Sequence, residues 1–462
     1  MLAPDAVSHH DEMATALVTD LYQLTMAASY LQRGMTAPAT FSLFVRNLPP
    51  TRGFLVAAGL EDCLEFLEEF HFDPSDLDYL ATLGLPREVL RAFASLRFTG
   101  DVWAVPEGRV VLANEPLLEV TAPLPEAQLV ETLLLNKVTF QTAVASKAAR
   151  CVLAAQGRLE LVDFGLRRTQ GVDAGMAAAR SSAMVGFAAT SNVEAARRYG
   201  LLASGTMAHS YVEAFPDEID AFRAFAADFP DRATFLVDTY DTLTGVRRAI
   251  TVIKESGLES RAAVRLDSGD LSTLAFGTRQ LLDEAGLKQV RIVVSGNLDE
   301  HRVADLVRRG APVDVAGVGT RMGVSADAPY LDTAYKLVAY DGRPVAKLSA
   351  AKATYPGAKQ VFRQDGIVDT LALRNESPGG GATPVLERVM AAGRHLGLDE
   401  GLDAARARYR ADSDALPPSA RRLQDPVPPV VAISVPLADL TEQVQGQHRA
   451  GSASSASPNQ QG

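Results

Sequence analysis

Five short apolar segments, each ending in polar residues and followed by a helical pattern, recur along the middle of the chain. They are LELVDFG at 159–165, TFLVDTYD at 234–241, AAVRLDSGD at 262–270, RIVVSGN at 291–297 and VDVAGVG at 313–319. Repeated units of strand, loop and helix predict parallel strands joined by helical crossovers. No GxGxxG follows the first strand, so an irregular α/β barrel fits better than a doubly wound sheet.

The pattern before these segments predicts an N-terminal α/β domain. Apolar positions at helical spacing predict helices over 16–34, 55–70, 86–96 and 125–155, the last of them long and central. Strands and turns are expected over 39–50 and 101–122.

After Lys336 the pattern returns to strands, with a hairpin turn at Asp341-Gly342, helical patterns near 385–411 and strands near 428–434. The last residues, GSASSASPNQQG, have low complexity. We therefore divide the chain into four parts: an N-terminal α/β domain (1–150), an α/β barrel with the active site (151–363), a C-terminal extension that packs back on the fold (364–450) and a disordered tail (451–462).

Composition and charge narrow the class of protein. The 45 Lys and Arg residues against 56 Asp and Glu leave a net charge of −11, the wrong sign for binding nucleic acid through the overall field. No apolar run approaches the roughly 20 residues of a spanning helix, and the N-terminus lacks the pattern of a signal peptide. Cys63 and Cys151 are too few for a disulfide framework or a Cys-based zinc site. We expect a cytoplasmic protein without nucleic-acid or membrane partners.

Polar residues directly after the first predicted barrel strand suit a flat, anionic ligand. Arg167 and Arg168 have forked donors for phosphate or carboxylate, and Phe164 offers a ring face. A surface loop with Phe164 in the core is the alternative. At 190–192, Thr, Ser and Asn either cap a helix alone or form an anion site as well.

Acid, base and nucleophile candidates follow in the next segments. His209, in GTMAHS, lies between small residues, where an imidazole can act as acid, base or acceptor of a phosphoryl group, or can be structural. Two loops carry Asp238 and Asp241, and Arg265, Asp267 and Asp270. Such carboxylates can bind ribose hydroxyls, hold Mg²⁺ or stabilise a developing cation.

Glycine-rich turns and a basic segment complete the candidate site. The turns at Gly296 and at Gly317, Gly319 and Thr320 can cradle phosphate with backbone N–H groups. Residues 347–363 add four basic residues, namely Lys347, Lys352, Lys359 and Arg363. Together these loops predict a phosphate-bearing ligand with a sugar and a flat ring.

Seven motifs, in this order, resemble the nicotinate phosphoribosyltransferase family: TDLYQLTM, DFGLRRTQG, GTMAHS, VDTYDT, VRLDSGDL, GVGT and KQVFR. The resemblance covers about residues 16–363. It implies the type II phosphoribosyltransferase fold, an N-terminal α/β domain on an irregular α/β barrel. It also implies synthesis of nicotinate mononucleotide and pyrophosphate from nicotinate and phosphoribosyl pyrophosphate, coupled to ATP hydrolysis, in a homodimer with shared active sites.

The resemblance also implies roles for individual residues. His209 is similar to the histidine that ATP phosphorylates, and Asp238 and Asp267 lie where the family meets the ribose and ring ends of the transition state. The expected nicotinate contacts are Tyr22 from the partner subunit, Phe164, Ser191, Thr206 and Arg265. The expected phosphoribosyl contacts are Arg167, Gly296, Gly317, Gly319 and Thr320. Mg²⁺ is expected with the pyrophosphate and ATP, with its protein ligands left unassigned.

Three other functions are compatible with parts of this pattern. A nicotinamide phosphoribosyltransferase is the nearest, but amide-using relatives typically have an aspartate at the position of Ser191, and a neutral serine does not repel a carboxylate. The quinolinate-using branch lacks a phosphorylated histidine, so GTMAHS argues against it. A non-catalytic scaffold predicts damaged motifs, and the motifs are intact.

Overall fold

The computed structural model describes residues 16–349, 354–377, 379–397 and 401–454. Its α-helices, in chain order, are α1 Leu21–Gln32, α2 Leu60–Glu69, α3 Pro74–Thr82, α4 Arg87–Ser95, α5 Leu124–Leu129, α6 Glu131–Ala155, α7 Val172–Val185, α8 Val193–Tyr199, α9 His209–Glu213, α10 Glu218–Asp228, α11 Thr242–Ser256, α12 Leu271–Glu284, α13 Glu300–Arg308, α14 Thr320–Gly323, α15 Gly401–Ala415 and α16 Val435–Ser454. Two short 3₁₀ helices occupy Leu166–Arg168 and Pro230–Arg232.

Within the described ranges the strands form four sheets. In chain order they are β1 Pro38–Val45, β2 Leu55–Val56, β3 Asp101–Ala104, β4 Val110–Val111, β5 Pro116–Pro123, β6 Glu160–Asp163, β7 Ala189–Thr190, β8 Thr234–Leu236, β9 Ala263–Leu266, β10 Arg291–Val294, β11 Val315–Val318, β12 Thr333–Tyr340, β13 Arg343–Pro344, β14 Lys359–Gln364, β15 Val368–Leu373, β16 Thr383–Pro384, β17 Glu387–Ala391, β18 Arg394–His395 and β19 Ala432–Ile433.

The five predicted segments form parallel strands, as expected, and a sixth short strand, β7, joins them. The hydrogen-bonded order is β7-β6-β11-β10-β9-β8. Because the last strand, β11, pairs with the first, β6, the sheet curves into a ring. Around this ring the strands follow in chain order, and neighbouring strands are paired except at β7 and β8. This order is that of an α/β barrel with one open side, which confirms the predicted fold class.

The open side of the barrel, between β7 and β8, is lined by irregular chain. Thr190 donates its N–H to Leu202 O at 3.0 Å, and Ser204 donates to Thr190 O at 2.9 Å. A single bridge between Thr190 and Ala203 is the only strand-like pairing here within the described residues. The segment that follows, Gly205–Ser210, is therefore held beside the barrel without being part of a strand.

An antiparallel sheet of seven strands, in the order β13-β12-β1-β5-β3-β17-β18, forms the second layer. Its central strands come from the N-terminal part, but β12 pairs with β1 and β17 pairs with β3. Segments from after the barrel strands thus return to complete this sheet. The domain bounds at 150 and 363 stay predictions, although residue 150 falls within α6 and β12 belongs to the N-terminal sheet.

Several local expectations hold and others do not. The Asp341-Gly342 turn joins β12 to β13, with φ of 49° and 72°, as a two-residue hairpin turn requires. The helical pattern expected from 385 is wrong over residues 387–395, which form β17 and β18; Met390 pairs with Val102 of β3, and both Val389 and Met390 are buried. Helix α16 extends to Ser454, four residues into the predicted tail, and 455–462 lie outside the described residues. No helix in the described ranges is long and apolar enough to span a bilayer.

A buried network of charges connects the N-terminal part to the barrel. Arg52 donates to both oxygens of Asp327, at 2.9 and 3.0 Å. Lys147 on α6 lies 2.8 Å from Asp327 and 2.5 Å from Glu300, and Arg150 donates to Glu300 at 3.0 Å. Burial alone raises the pKa of Asp327, but the hydrogen bonds and charges of Arg52 and Lys147 outweigh it and hold that pKa well below its usual value.

Replacing Asp327 with alanine is predicted to destabilise the protein strongly. The change leaves Arg52 and Lys147 buried without a shared counter-ion, which costs about 3–5 kcal/mol. Denaturant unfolding would measure the loss. Asp231, whose pair with Arg261 is 79% and 52% exposed, provides the control, and Asp231→Ala is expected to change stability by less than about 0.5 kcal/mol. Equal, small effects of both changes would contradict this account of the network.

Candidate active site

Alternate residues of the parallel strands face opposite sides, and this alternation brings one set of polar side chains together at the carboxyl ends. Val264 and Leu266 on β9 belong to the main hydrophobic core, so Arg265 and Asp267 face the other side. The same rule applies to β10, where Ile292 and Val294 are in the core and Ser295 follows on the opposite side.

Arg265 is the centre of the cluster. Its Nε donates to Ser295 Oγ at 2.8 Å, its Nη1 to Thr206 Oγ1 at 2.8 Å and to the Met207 carbonyl at 3.3 Å, and its Nη2 to Asp267 Oδ1 at 2.7 Å. The side chain is 11% exposed. Because a guanidinium has five N–H donors, these four bonds leave one donor, on Nη2, for a ligand.

Phe164 packs beside this guanidinium, with Arg265 Cζ 5.6 Å from the centre of its ring. The ring lies so close to β11 that a Cβ on Gly317 would come within 2.5 Å of it, and a Cβ on Gly319 would lie 2.6 Å from the Phe164 carbonyl. Gly317 and Gly319, the two glycines expected to cradle phosphate, therefore leave the space that Phe164 occupies, because they have no side chain. The ring itself is half-buried rather than part of the main core.

Asp163, directly before Phe164, fixes the ends of two strands. Its carboxylate is fully buried and accepts from Gly165 N and Thr190 Oγ1, both at 2.7 Å. Its carbonyl accepts from Ser191 N at 2.8 Å, which places Ser191 at the end of β7. Burial raises the pKa of Asp163 in spite of these hydrogen bonds.

Asp267 and Asp238 form the acidic part of the cluster. Asp267 N donates to Asp238 Oδ2 at 2.9 Å, and Ser268 Oγ donates to the same oxygen at 2.6 Å. Burial raises the pKa of Asp267, but hydrogen bonds from Ser295 and Arg265 outweigh it, so the pKa lies below its usual value. Asp267 is therefore a carboxylate at neutral pH.

His209 begins α9 on the open side of the barrel. Its Nδ1 lies 3.1 Å from Thr239 Oγ1, and its Nε2 lies 3.9 Å from Asp267 Oδ2. The imidazole is 40% exposed, so it is accessible to a ligand. The structure thus brings His209 beside Asp267, which the interpretation as an isolated structural histidine does not predict.

The remaining predicted residues lie at varying distances from this cluster. Gly296 has φ of 95°, and a Cβ there would lie 1.9 Å from the Asp267 carbonyl, so it closes the turn after Ser295. Arg167 is exposed in the middle of a 3₁₀ helix, and Thr320 is exposed at the start of α14. Tyr22, on α1, is 51% exposed. These positions leave their ligand roles as predictions.

Four other charged candidates have structural roles. Asp241 and Asp270 cap α11 and α12 by accepting from Thr244 N and Thr273 N. Lys359 and Arg363, expected near an anionic ligand, are instead buried in ion pairs, Lys359 with Glu119 at 3.0 Å and Arg363 with Asp369 and Asp412 at 2.7 and 2.9 Å. The expectation for these two cations was wrong. Lys352 lies outside the described residues.

Sequence reasoning missed Ser295, Thr239 and Asp163 as members of the site. Thr239 and Asp163 adjoin residues that the motifs already marked. Ser295 was seen only as part of a glycine turn. Val293 pairs with Arg265, which puts Ser295 opposite Asp267, and this register is not visible without the sheet.

Two family models match the chain: the nicotinate phosphoribosyltransferase (NAPRTase) N-terminal domain over residues 17–139 and the nicotinate phosphoribosyltransferase (NAPRTase) family over 159–365. A nicotinate phosphoribosyltransferase of Mycobacterium tuberculosis is 51% identical over 417 residues, 89% of each chain. One of Bacillus subtilis is 45% identical over 358 residues, 75% of this chain and 73% of that protein.

Two solved structures share the fold. The crystal structure of human nicotinic acid phosphoribosyltransferase superposes with a TM-score of 0.81 at 32% identity and covers 92% of this chain and 99% of its own. A nicotinate-nucleotide pyrophosphorylase from Pyrococcus furiosus has a TM-score of 0.73 at 23% identity, covering 90% and 99%; this likeness concerns the fold alone.

Replacing Gly317 with alanine is predicted to lower stability by about 1–3 kcal/mol, because the new methyl group overlaps the Phe164 ring and forces it to move. Denaturant unfolding would measure the loss. Gly446 in α16 has no atom within 4 Å of an added Cβ, so Gly446→Ala is the control and is expected to cause no loss. Wild-type stability of Gly317→Ala would show that the ring is not held as described.

Proposed function

Because the chain belongs to the nicotinate phosphoribosyltransferase family, we propose that the cluster around Arg265 is the site at which it transfers a phosphoribosyl group to nicotinate. The overall reaction forms nicotinate mononucleotide and pyrophosphate from nicotinate and phosphoribosyl pyrophosphate, and it serves NAD biosynthesis from nicotinate. The observation that carries the assignment of the site is the contact of Arg265 with both Phe164 and Asp267.

Nicotinate is a flat ring with one carboxylate, and Arg265 and Phe164 suit these two features. The free Nη2 donor of Arg265 can meet the carboxylate, with the Thr206 hydroxyl beside it. The pyridine ring would stack on the face of Phe164, whose position β11 fixes. A carboxylate meets the last donor of the guanidinium with a negative charge, whereas the carbonyl oxygen of an amide accepts the same hydrogen bond without one.

The chemical step needs no strong base. The lone pair of the pyridine nitrogen forms a bond to the anomeric carbon as the bond from that carbon to pyrophosphate breaks, and the nitrogen has no proton to lose. Positive charge develops on the ribose during this exchange, as in other glycosyl transfers. Asp238 and Asp267 would stabilise it as carboxylates.

Mg²⁺ is proposed to accompany the pyrophosphate. Asp238 Oδ1 is buried and has no hydrogen-bond partner within the described residues, and a carboxylate oxygen is the donor that Mg²⁺ takes together with phosphate oxygens. The described residues contain no group of three or more acidic, His or Cys side chains suited to a metal, so substrate oxygens would supply most ligands. The ion would neutralise charge on the leaving pyrophosphate.

We further propose that ATP phosphorylates His209 and that this couples hydrolysis to the transfer. The imidazole is accessible, and Asp267 lies on its Nε2 side. Tyr22, exposed on α1, is proposed to reach the site of a second copy in a homodimer. The cytoplasmic location stays a prediction.

Replacing His209 with alanine is predicted to abolish ATP hydrolysis coupled to the transfer, while a slow transfer without ATP remains. The measurement is transfer of label from γ-labelled ATP to the protein, mapped to a residue. His71, whose side chain is 45% exposed on the loop before α3, supplies the control variant His71→Ala. Coupled hydrolysis that persists in His209→Ala would refute the phosphohistidine.

Replacing Arg265 with alanine is predicted to raise the KM for nicotinate about 10- to 100-fold, which corresponds to the loss of a charged hydrogen bond of about 1.5–3 kcal/mol. Steady-state kinetics with nicotinate and with nicotinamide would measure it. The wild-type enzyme is expected to prefer the acid. An unchanged KM for nicotinate would place the carboxylate ligand elsewhere, and preference for the amide would favour the alternative activity.

A further inference from the structure

We propose that Ser295 is a positioning residue that makes the site selective for a pyridine carboxylic acid over the corresponding amide. It acts by holding the Arg265 guanidinium and the Asp267 carboxylate in one arrangement. The proposal rests on the assignment of Arg265 as the ligand of the nicotinate carboxylate.

A single hydroxyl joins the two charged groups. Ser295 Oγ accepts from Arg265 Nε at 2.8 Å and donates to Asp267 Oδ1 in a short hydrogen bond. Ser295 is 2% exposed, so it has no surface to offer a substrate and acts only through its neighbours. Within the described residues it is the one side chain bonded to both members of this ion pair.

The backbone keeps the hydroxyl in place. Ser295 donates its N–H to Leu266 O at 2.9 Å, which extends the pairing of β10 with β9 by one residue. The next residue, Gly296, approaches the Asp267 carbonyl so closely that no other side chain fits without a shift. The turn after β10 is thus held against the end of β9 by one backbone hydrogen bond and one close backbone contact.

Selectivity follows from where donors and acceptors remain. With the hydroxyl present, Arg265 offers one N–H, and the Asp267 Oδ1 that faces the guanidinium already accepts two hydrogen bonds. This arrangement favours a carboxylate, which only accepts. Without the hydroxyl, Arg265 Nε loses its acceptor and the guanidinium can turn, while Asp267 Oδ1, the oxygen beside the guanidinium, gains a free lone pair that can accept from an amide N–H.

The test is the kinetics of Ser295→Ala with nicotinate, nicotinamide and phosphoribosyl pyrophosphate. We expect the KM for nicotinate to rise about tenfold or more, since one hydrogen bond to a charged group is lost. The KM for phosphoribosyl pyrophosphate should change by no more than about twofold, and the ratio of kcat/KM for acid over amide should fall. Ser295→Cys fills the same space with a weak hydrogen-bonding group and is expected to act as Ser295→Ala does.

Ser272 supplies the matched control. It is also 2% exposed, near the start of α12, and its hydroxyl has no partner within the described residues. Ser272→Ala therefore removes an equally buried hydroxyl without touching Arg265. The KM for nicotinate, the KM for phosphoribosyl pyrophosphate and the ratio of kcat/KM for acid over amide should all stay at their wild-type values.

Two outcomes would overturn the proposal. The first is a ratio of kcat/KM for acid over amide in Ser295→Ala or Ser295→Cys that equals the ratio in Ser272→Ala. The second is an equal rise in the KM for nicotinate and the KM for phosphoribosyl pyrophosphate. Arg265→Ala separates this failure from failure of the proposed site. If Arg265→Ala raises the KM for nicotinate and the Ser295 variants do not, only the role of Ser295 is wrong. If Arg265→Ala has no effect, the carboxylate assignment is wrong as well.

Discussion

The arrangement of the site depends on one buried guanidinium, four of whose five N–H donors bond to other groups of the protein. Arg265 donates to a hydroxyl after β10, a hydroxyl and a carbonyl on the open side of the barrel, and a carboxylate after β9. A buried cation must be paired and hydrogen-bonded, so these segments have to meet around it. The same four hydrogen bonds that stabilise the guanidinium in the protein interior therefore fix its orientation and leave one N–H of Nη2 free.

The open side of the barrel allows residues from irregular chain to join that cluster. In a closed barrel the space between β7 and β8 would be filled by strand, with side chains restricted to alternate positions. Here Ala203 makes one bridge and the chain then departs from the sheet, so Thr206 from irregular chain bonds to Arg265, and His209 at the start of α9 lies beside Asp267. The irregularity of the barrel is thus what brings the imidazole to the strand ends.

The sequence was sufficient to predict which strand ends carry chemistry, because apolar runs and the polar residues after them are local signals. The five predicted strands and the members Phe164, Arg265 and Asp267 came from such runs. Ser295 could not be identified from such a local signal, because its contacts with Arg265 and Asp267 depend on the register between β9 and β10. The prediction for Lys359 and Arg363 failed for the same reason: their carboxylate partners Glu119, Asp369 and Asp412 are distant in sequence or on another strand.

The charges of the cluster set requirements for each part of the reaction. Arg265, Asp267 and Asp238 carry one positive and two negative charges, and this net negative charge would favour a cationic ribose in the proposed transition state and disfavour a free pyrophosphate nearby. Since Lys359 and Arg363 are buried in ion pairs, we propose that the compensating charge comes from exposed cations such as Arg167 or from a metal ion bound with the substrate. In the proposed site the carboxylate of nicotinate would have to bind against this net negative charge, and Arg265 offers it one N–H because the other four donors are held by the protein. On the proposed assignment, the fixed direction of that donor, rather than additional positive charge, would let an anionic substrate bind in an acidic site.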